Sequence, residues 1–302
     1  MNPVIFSIGP LQMTWYGLLI VFGAVIAAYI STFEAKRRGE DPENIWNMLA
    51  WILIFGIIGA RLYHVFSNPV GGLGWSWYRE HPIDIIAFWN GGFRGLGIYG
   101  AVFGGFLAIA LYAWRYHLSL PRWLDIVTPG ILLAQAIGRM GNFINQELYG
   151  PPTTLPWGFK INPKFPFQPP TEMLGKTQDE VLKYIAATRF HPTFFYEALW
   201  NLVGFGLVMW LGRKWSGKLR DGDLILAYLI WYPLGRIIVE MFRPDAWISG
   251  VPGLATAQLI SLGLMGFAIV ALILRHRNWK PEPALAAVTN TPAGEGPQEE
   301  NQ

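Results

Sequence analysis

The chain has no cysteine and few charged residues. Charged side chains make up 14% of its 302 residues and hydrophobic ones 52%, whereas about 25% of a typical soluble protein is charged. The absence of cysteine excludes disulfides, thiolate metal sites and a thiolate nucleophile of the protein's own. Patterns for zinc sites, phosphate-binding loops, serine hydrolases and dinucleotide-binding folds are also absent, so we predict no metal and no cofactor. The formal net charge of +3 is small and does not favour nucleic-acid binding.

The hydrophobic residues occur in blocks about twenty residues long, which is the length that a helix needs to cross a bilayer. This pattern predicts an all-α polytopic integral membrane protein with seven transmembrane helices. The predicted spans are Met13–Phe33, Trp46–Phe66, Leu96–Trp114, Asp125–Ile144, Thr193–Leu211, Asp223–Phe242 and Ala257–Leu274.

Basic residues indicate how these spans are oriented. They follow spans one, three, five and seven, and the intervening connections are poorer in them. Because cytoplasmic loops carry an excess of Lys and Arg, we predict an N-terminus outside and a C-terminus in the cytoplasm. The basic residues are Lys36, Arg37, Arg38, Arg115, Arg122, Arg213, Lys214, Lys218, Arg220, Arg275, Arg277 and Lys280.

The spans divide the chain into a membrane domain and a tail. Residues 1–278 hold the spans, with long outer loops at 67–95 and 146–192. Loops of this length are usually functional or have local structure of their own. Residues 279–302 are rich in Pro, Ala, Thr, Glu and Gln, so we predict a disordered cytoplasmic tail.

Span four ends in a stripe of polar residues. Gln135, Arg139, Asn142 and Gln146 stand at i, i+4, i+7 and i+11, which places them on one helix face. An arginine at the centre of a membrane helix costs roughly 2.5–3.5 kcal/mol and is a functional candidate by default. The stripe is either a polar helix end at the membrane surface or a binding site for an anion, because the arginine fork matches phosphate. Further polar or small residues follow at Asn145, Glu147 and Gly150.

Span six carries a second charged stripe. Arg236, Glu240 and Arg243 stand at i, i+4 and i+7. They form either an intrahelical ion pair that eases insertion, or a second arginine that faces the same polar interior with Glu240 orienting it.

Three other stretches leave alternatives open. His191 and Glu197, at the start of span five, are acid–base candidates or parts of a capped helix start. Tyr16 is typical of an interface anchor, and Arg61 either snorkels or faces a polar interior. The glycines of Gly91–Gly105 indicate close helix packing or a surface that lipid approaches.

Taken together, these motifs closely resemble the signature of the bacterial prolipoprotein diacylglyceryl transferases. The matching stretches are Pro3–Pro10, Trp15–Gly17, Gly138–Gly150, His191–Glu197 and Gly235–Arg243. They occur in the family's order and cover the chain up to about residue 276.

The resemblance implies a seven-span enzyme of the bacterial inner membrane. Such an enzyme moves the sn-1,2-diacylglyceryl group of phosphatidylglycerol onto the lipobox cysteine thiol of a prolipoprotein, and glycerol 1-phosphate leaves. The expected partners are therefore phosphatidylglycerol, a prolipoprotein signal peptide and the membrane.

The resemblance also implies that Arg139 contacts the lipid phosphate. We predict Arg139, Arg236, Glu240, Glu147 and Tyr99 as catalytic residues, and Asn142, Asn145, Gly150, Tyr16 and His191 as substrate-binding residues.

Tyr99 departs from the family pattern, because many members carry a histidine there that has been proposed as the base. An unperturbed tyrosine titrates near pH 10 and is a poor base. Either Glu147, Glu240 or His191 deprotonates the thiol, or Tyr99 only orients substrate. We expect Tyr99→Phe to retain measurable activity and Arg139→Ala to lose nearly all. A transporter or lipid scramblase, and a non-catalytic scaffold, are the competing functions.

Overall fold

The structure is a computed structural model, and it describes residues 2–9, 11–67, 74–86, 95–242 and 255–277. The predicted tail at 279–302, about half of the loop at 67–95 and Arg243 lie outside the described residues.

The described part of the chain is mostly helical, and each of the seven predicted spans coincides with a helix. Long helices are joined by short ones, α3 and α6, that follow the predicted spans two and four. The helices are α1 Trp15–Arg37, α2 Glu43–Phe66, α3 Trp75–Glu80, α4 Ile98–Arg115, α5 Leu120–Asn145, α6 Gln178–Ala187, α7 Thr193–Lys214, α8 Asp223–Glu240 and α9 Thr256–His276.

Five helices are long and apolar enough to cross a membrane, judged by length and composition in the described residues. They are α1, α2, α4, α7 and α9. The chain is therefore a polytopic membrane protein, as its composition predicts. The helices α5 and α8 fall outside this set, and they carry Arg139, Arg236 and Glu240.

The first residues correct the prediction of an all-α fold. Val4–Ile8 (β1) and Leu11–Thr14 (β2) form an antiparallel hairpin, with Gly9 in the left-handed conformation at the turn. Helix α1 begins only at Trp15, because the Thr14 side chain caps it by accepting a hydrogen bond from the Gly17 amide at 3.2 Å. The predicted start of span one at Met13 was therefore two residues early.

Helix α5 lies at the centre of the fold, where it packs against α1, α4, α7 and α8. Helices α2 and α4 cross closely through glycines. A Cβ added to Gly100 would lie 2.1 Å from the Gly59 carbonyl oxygen, and one added to Gly104 would lie 2.2 Å from the Phe55 carbonyl oxygen. The glycines at the start of α4 therefore serve helix packing, the first of their two predicted roles.

Two tryptophans join α7 to α8. The indole N–H of Trp200 donates to the Trp231 carbonyl at 3.0 Å, and the indole N–H of Trp231 donates to the Trp200 carbonyl at 3.1 Å. The rings stack with centroids 4.3 Å apart. Gly204 and Gly235 make room for them, because a Cβ at either position would lie within 2.3 Å of an indole nitrogen.

The segment 146–192, which is predicted to lie outside and is called the outer segment below, is folded. Its apolar side chains form a small core with the start of α7, and Thr177 begins α6 with a capping box to Glu180. The Gln146 side chain fastens the segment to the end of α5, since it donates to the Asn162 and Pro166 carbonyls at 3.0 and 3.2 Å. The buried members of this core are Tyr149, Ile161, Val181, Ile185, Phe190 and Phe194.

Arg61 also holds loop backbone. Its guanidinium donates to the carbonyls of Ile85 at 2.8 Å and Gly95 at 3.3 Å, and it lies over the Tyr78 ring. The side chain therefore anchors the connection between α2 and α4.

Candidate active site

Glu197 on α7 joins two arginines from different helices. One carboxylate oxygen pairs with Arg139 of α5, and the other lies 3.2 Å from Arg236 of α8. The Glu197 side chain is buried, and both arginine side chains are less than one-fifth exposed. The structure thus brings together the two stripes that the sequence predicts separately.

Glu240 completes the pairing on α8. Its carboxylate lies 2.7 Å from the Arg236 guanidinium, one helical turn away. Both interpretations of this charged stripe include this i, i+4 ion pair, so the role of Glu240 in orienting Arg236 stays a prediction.

Glu147 is the third carboxylate of the cluster. One of its oxygens accepts hydrogen bonds from the side-chain amides of Asn142 at 3.0 Å and Asn145 at 3.1 Å. The side-chain oxygen Oδ1 of Asn142 in turn accepts a hydrogen bond from Arg139 at 3.4 Å. In the described part of the chain, the second oxygen of Glu147 makes no hydrogen bond or ion pair. The side chain is half-buried, so this oxygen is open to a ligand.

The end of α5 places Glu147 beside the cluster. The helix ends at Asn145, and Gln146 and Leu148 both adopt positive φ, 53° and 54°. The chain turns sharply there, and the Gln146 side chain leaves the predicted stripe to bind the outer segment. Gln135 leaves it as well, because its amide donates to the Tyr228 hydroxyl of α8 at 2.8 Å.

Gly150 and His191 lie where the outer segment meets α7. The Gly150 amide donates to the His191 carbonyl at 2.8 Å. A Cβ on Gly150 would lie 2.8 Å from the Phe242 carbonyl oxygen and 2.9 Å from Thr193, so this crossing has room only for glycine. The His191 ring nitrogen Nδ1 and the Tyr196 hydroxyl are hydrogen-bonded, 3.2 Å apart.

Tyr16 covers the polar end of α5. Its ring packs on Gly141, where an added Cβ would lie 2.2 Å from the ring. Glu147 and Arg139 are its charged neighbours. Tyr16 therefore borders the cluster from the first turn of α1.

Tyr99 lies apart from these residues in the contacts of the described chain. It is 52% exposed on α4, and its ring packs against Tyr63 of α2 with centroids 5.7 Å apart. Its predicted catalytic role stays a prediction.

The predicted catalytic and substrate-binding residues do not include Glu197. Its sequence signal is a carboxylate in the first turns of an apolar helix, which fits an acid–base group and a capped helix start equally. Its two partners are on helices that the sequence does not pair with α7.

The fold and this cluster define a class of protein. It is a polytopic membrane protein with two arginines and three glutamates between and beside its helices. No group of three or more His, Asp or Glu side chains in the described residues is arranged to hold a metal ion.

Comparison with known proteins gives the family. The family model for prolipoprotein diacylglyceryl transferase matches residues 3–274. A protein of Chloroflexus aggregans named phosphatidylglycerol–prolipoprotein diacylglyceryl transferase is 37% identical over 281 residues, covering 89% of this chain and 87% of its own. Proteins of the same name from Synechococcus elongatus (38% identity, 90% and 86% covered) and Limosilactobacillus reuteri (37%, 92% and 93%) are similar. The chain belongs to the prolipoprotein diacylglyceryl transferase family, which confirms the predicted resemblance.

Proposed function

We propose that this protein transfers the sn-1,2-diacylglyceryl group of phosphatidylglycerol to the lipobox cysteine thiol of a prolipoprotein and releases sn-glycerol 1-phosphate. The reaction is the first step of bacterial lipoprotein maturation. Membership of the family supports it. The observation that carries it is the pair of arginines held by Glu197 among apolar helices.

The two arginines have donors left for a phosphate. Arg139 and Arg236 use their terminal nitrogens on Glu197, Asn142 and Glu240. Each guanidinium has five N–H groups, and within the described residues both Nε–H groups are without a partner. A phosphodiester can therefore bind beside Glu197 without first breaking the ion pairs.

The chemistry is a displacement at a glycerol carbon. The cysteine sulfur forms a bond to the glycerol carbon that carries the phosphate. The bond between this carbon and the phosphate oxygen breaks, and the oxygen stays on phosphorus. The electron pair stays on the departing glycerol phosphate, which gains negative charge. Two arginines placed beforehand stabilise this developing charge, usually a large contribution to catalysis.

Glu147 is the base that the contacts favour. Both oxygens of Glu197 are paired with arginines, and Glu240 is buried against Arg236. Glu147 is half-buried, with one oxygen held by two amides and the other open. That oxygen takes the thiol proton, and Asn142 and Asn145 hold the carboxylate in place.

The remaining predicted residues bind or position substrate in this proposal. Tyr16 borders the lipid phosphate, while Gly150 and His191 shape the entry between the outer segment and α7. Tyr99, half-exposed on α4, contacts the substrate's apolar part rather than its reacting atoms.

We further propose the finer arrangement in the membrane. The protein spans the bacterial inner membrane seven times, with α5 and α8 among the spans, the N-terminus outside and the C-terminus in the cytoplasm. Residues 1–278 form the transferase domain with outer loops 67–95 and 146–192, and 279–302 form a disordered tail. The folded segment 146–192 then admits the prolipoprotein from the outer face.

Mass spectrometry of a lipobox peptide tests the function. The purified protein is incubated with the peptide and phosphatidylglycerol of defined chains. We expect the peptide to gain the mass of one diacylglyceryl group, and glycerol phosphate to appear in equal amount. A peptide of unchanged mass, with an established family member active in parallel, would rule the proposal out. A peptide with Ser in place of Cys is the control.

A further inference from the structure

Asn201 is a buried amide without a hydrogen-bond partner. It lies on α7 and is only 2% exposed. Within the residues that the structure describes, neither end of its side-chain amide makes a hydrogen bond. Leaving a buried amide unpaired destabilises a protein, so this side chain requires a functional explanation.

The Asn201 side chain lines a small pocket that continues from the arginine cluster. The pocket lies between α7 and α8, and an amide there has both donors and an acceptor available. Two of its lining residues, Glu197 and Arg236, belong to the cluster itself. Its lining residues are Glu197, Trp200, Asn201, Tyr232, Gly235 and Arg236.

The position of Asn201 matches one part of a phospholipid. Asn201 is one helical turn from Glu197, about 6 Å further along α7 and closer to the middle of the helix. Tyr232 of the same pocket is likewise one turn from Arg236, toward the middle of α8. In a phospholipid, the ester carbonyls lie a few bonds from the phosphate on the side of the acyl chains.

We propose that the Asn201 side-chain N–H donates a hydrogen bond to an ester carbonyl of the lipid whose phosphate binds Arg139 and Arg236. This rests on the proposed function, and it makes Asn201 a substrate-binding residue that recognises a diester lipid. The carbonyl supplies the partner that the buried amide lacks.

The experiment compares two phosphatidylglycerols of equal chain length, one with ester-linked and one with ether-linked chains. The ether lipid has the same phosphate and headgroup but no carbonyl. Competition against a radiolabelled diester lipid in detergent gives the dissociation constant of each for the purified full-length protein. A binding ratio does not depend on turnover, so an inactive variant is still informative.

We expect the wild-type protein to bind the diester about fivefold more tightly than the diether, which is the effect of one hydrogen bond. In Asn201→Leu and Asn201→Ala, the ratio should fall to about one. Asn44→Leu is the control, because it removes an amide that accepts from Tyr112 at 2.8 Å elsewhere in the protein; its ratio should equal that of the wild type.

Two results would overturn the proposal. One is a wild-type ratio of one, and the other is an unchanged ratio in both Asn201 variants. Both results concern the ratio of lipid affinities. Failure of the proposed function is seen in a different measurement, because the wild-type protein would then leave the lipobox peptide unmodified with either lipid.

Discussion

At the scale of single residues, the carboxylate of Glu197 balances two guanidiniums that would otherwise repel each other. Arg139 and Arg236 come from α5 and α8, and each contacts a different oxygen of the carboxylate. Removing one partner of a buried ion pair strongly destabilises a protein, because the other charge is left buried and unpaired. The placement of both arginines therefore depends on the charge of Glu197.

Replacing Glu197 tests this dependence. Glu197→Gln keeps the size of the side chain and removes its charge, so both arginines lose their orientation. We expect kcat/KM for phosphatidylglycerol to fall by roughly 10- to 100-fold, the effect of losing a hydrogen bond between charged groups. The measurement is the initial rate of peptide modification over a range of lipid concentrations.

Glu34 offers a matched control for this variant. It is also a buried glutamate that pairs with two arginines, Arg37 and Arg213, each at 2.8 Å. Arg213 is near the opposite end of α7 from Glu197. Glu34→Gln should keep kcat/KM within about threefold of the wild type. Equal losses in the two variants would mean that Glu197 acts only on the stability of the fold.

The sequence predicted contacts within one helix and missed those between helices. Arg236 and Glu240 are i and i+4, and this periodicity predicts their ion pair. Glu197 has no such signal, because its partners are on other helices and a sequence pattern does not state which helices pack together. The helical period predicts that Gln146 lies on the polar stripe of α5. The helix ends one residue earlier, at Asn145, and the Gln146 side chain binds the outer segment instead.

At the scale of elements, the interface between α7 and α8 sets the distance between Glu197 and Arg236. The stacked indoles of Trp200 and Trp231 and their two hydrogen bonds hold this interface. Gly204 permits it, since a Cβ there would lie 2.3 Å from the Trp231 indole nitrogen.

A glycine pair on α7 tests the role of this interface. Gly204→Ala should lower the unfolding temperature in detergent, since overpacking of this kind costs about 1–3 kcal/mol. Gly206→Ala is the control on the same helix, because nothing lies within 4 Å of its added Cβ; its unfolding temperature should be unchanged or slightly higher. Equal unfolding temperatures for the two variants would contradict the assigned role of the tryptophans.

The elements themselves were predictable to different degrees. Blocks of apolar residues located a helix at every predicted span. The hairpin Val4–Thr14 was missed because its apolar residues merge with the first span, so only the Thr14 cap marks the start of α1. The fold of 146–192 was not readable, since its small core depends on contacts such as Phe190 with Tyr149 across the segment.

At the scale of the whole molecule, the absence of cysteine makes the proposed topology directly testable. Any cysteine introduced is the only thiol in the chain. Lys164 of the outer segment and Lys218 between α7 and α8 are both exposed. They lie on opposite sides of the membrane if the basic loops are cytoplasmic.

Labelling with a membrane-impermeant maleimide separates the two sides. In cells that have lost the outer envelope but keep a sealed inner membrane, Lys164→Cys should react with the maleimide and Lys218→Cys should not. Both should react after the membrane is opened with detergent, which controls for the reactivity of each thiol. Labelling of Lys218→Cys in intact cells would reverse the proposed orientation.

The central claim is that Arg139, paired with Glu197, holds the phosphate from which the diacylglyceryl group departs. The most direct measurement is the rate of single-turnover transfer to the lipobox peptide for Arg139→Ala beside Arg213→Ala, since both remove an arginine that pairs with a buried glutamate. We predict a loss of roughly 100- to 1,000-fold for Arg139→Ala, as for other groups that stabilise developing charge, and a rate within about twofold of the wild type for Arg213→Ala. Rapid transfer by Arg139→Ala, or an equal loss in both variants, would contradict the claim.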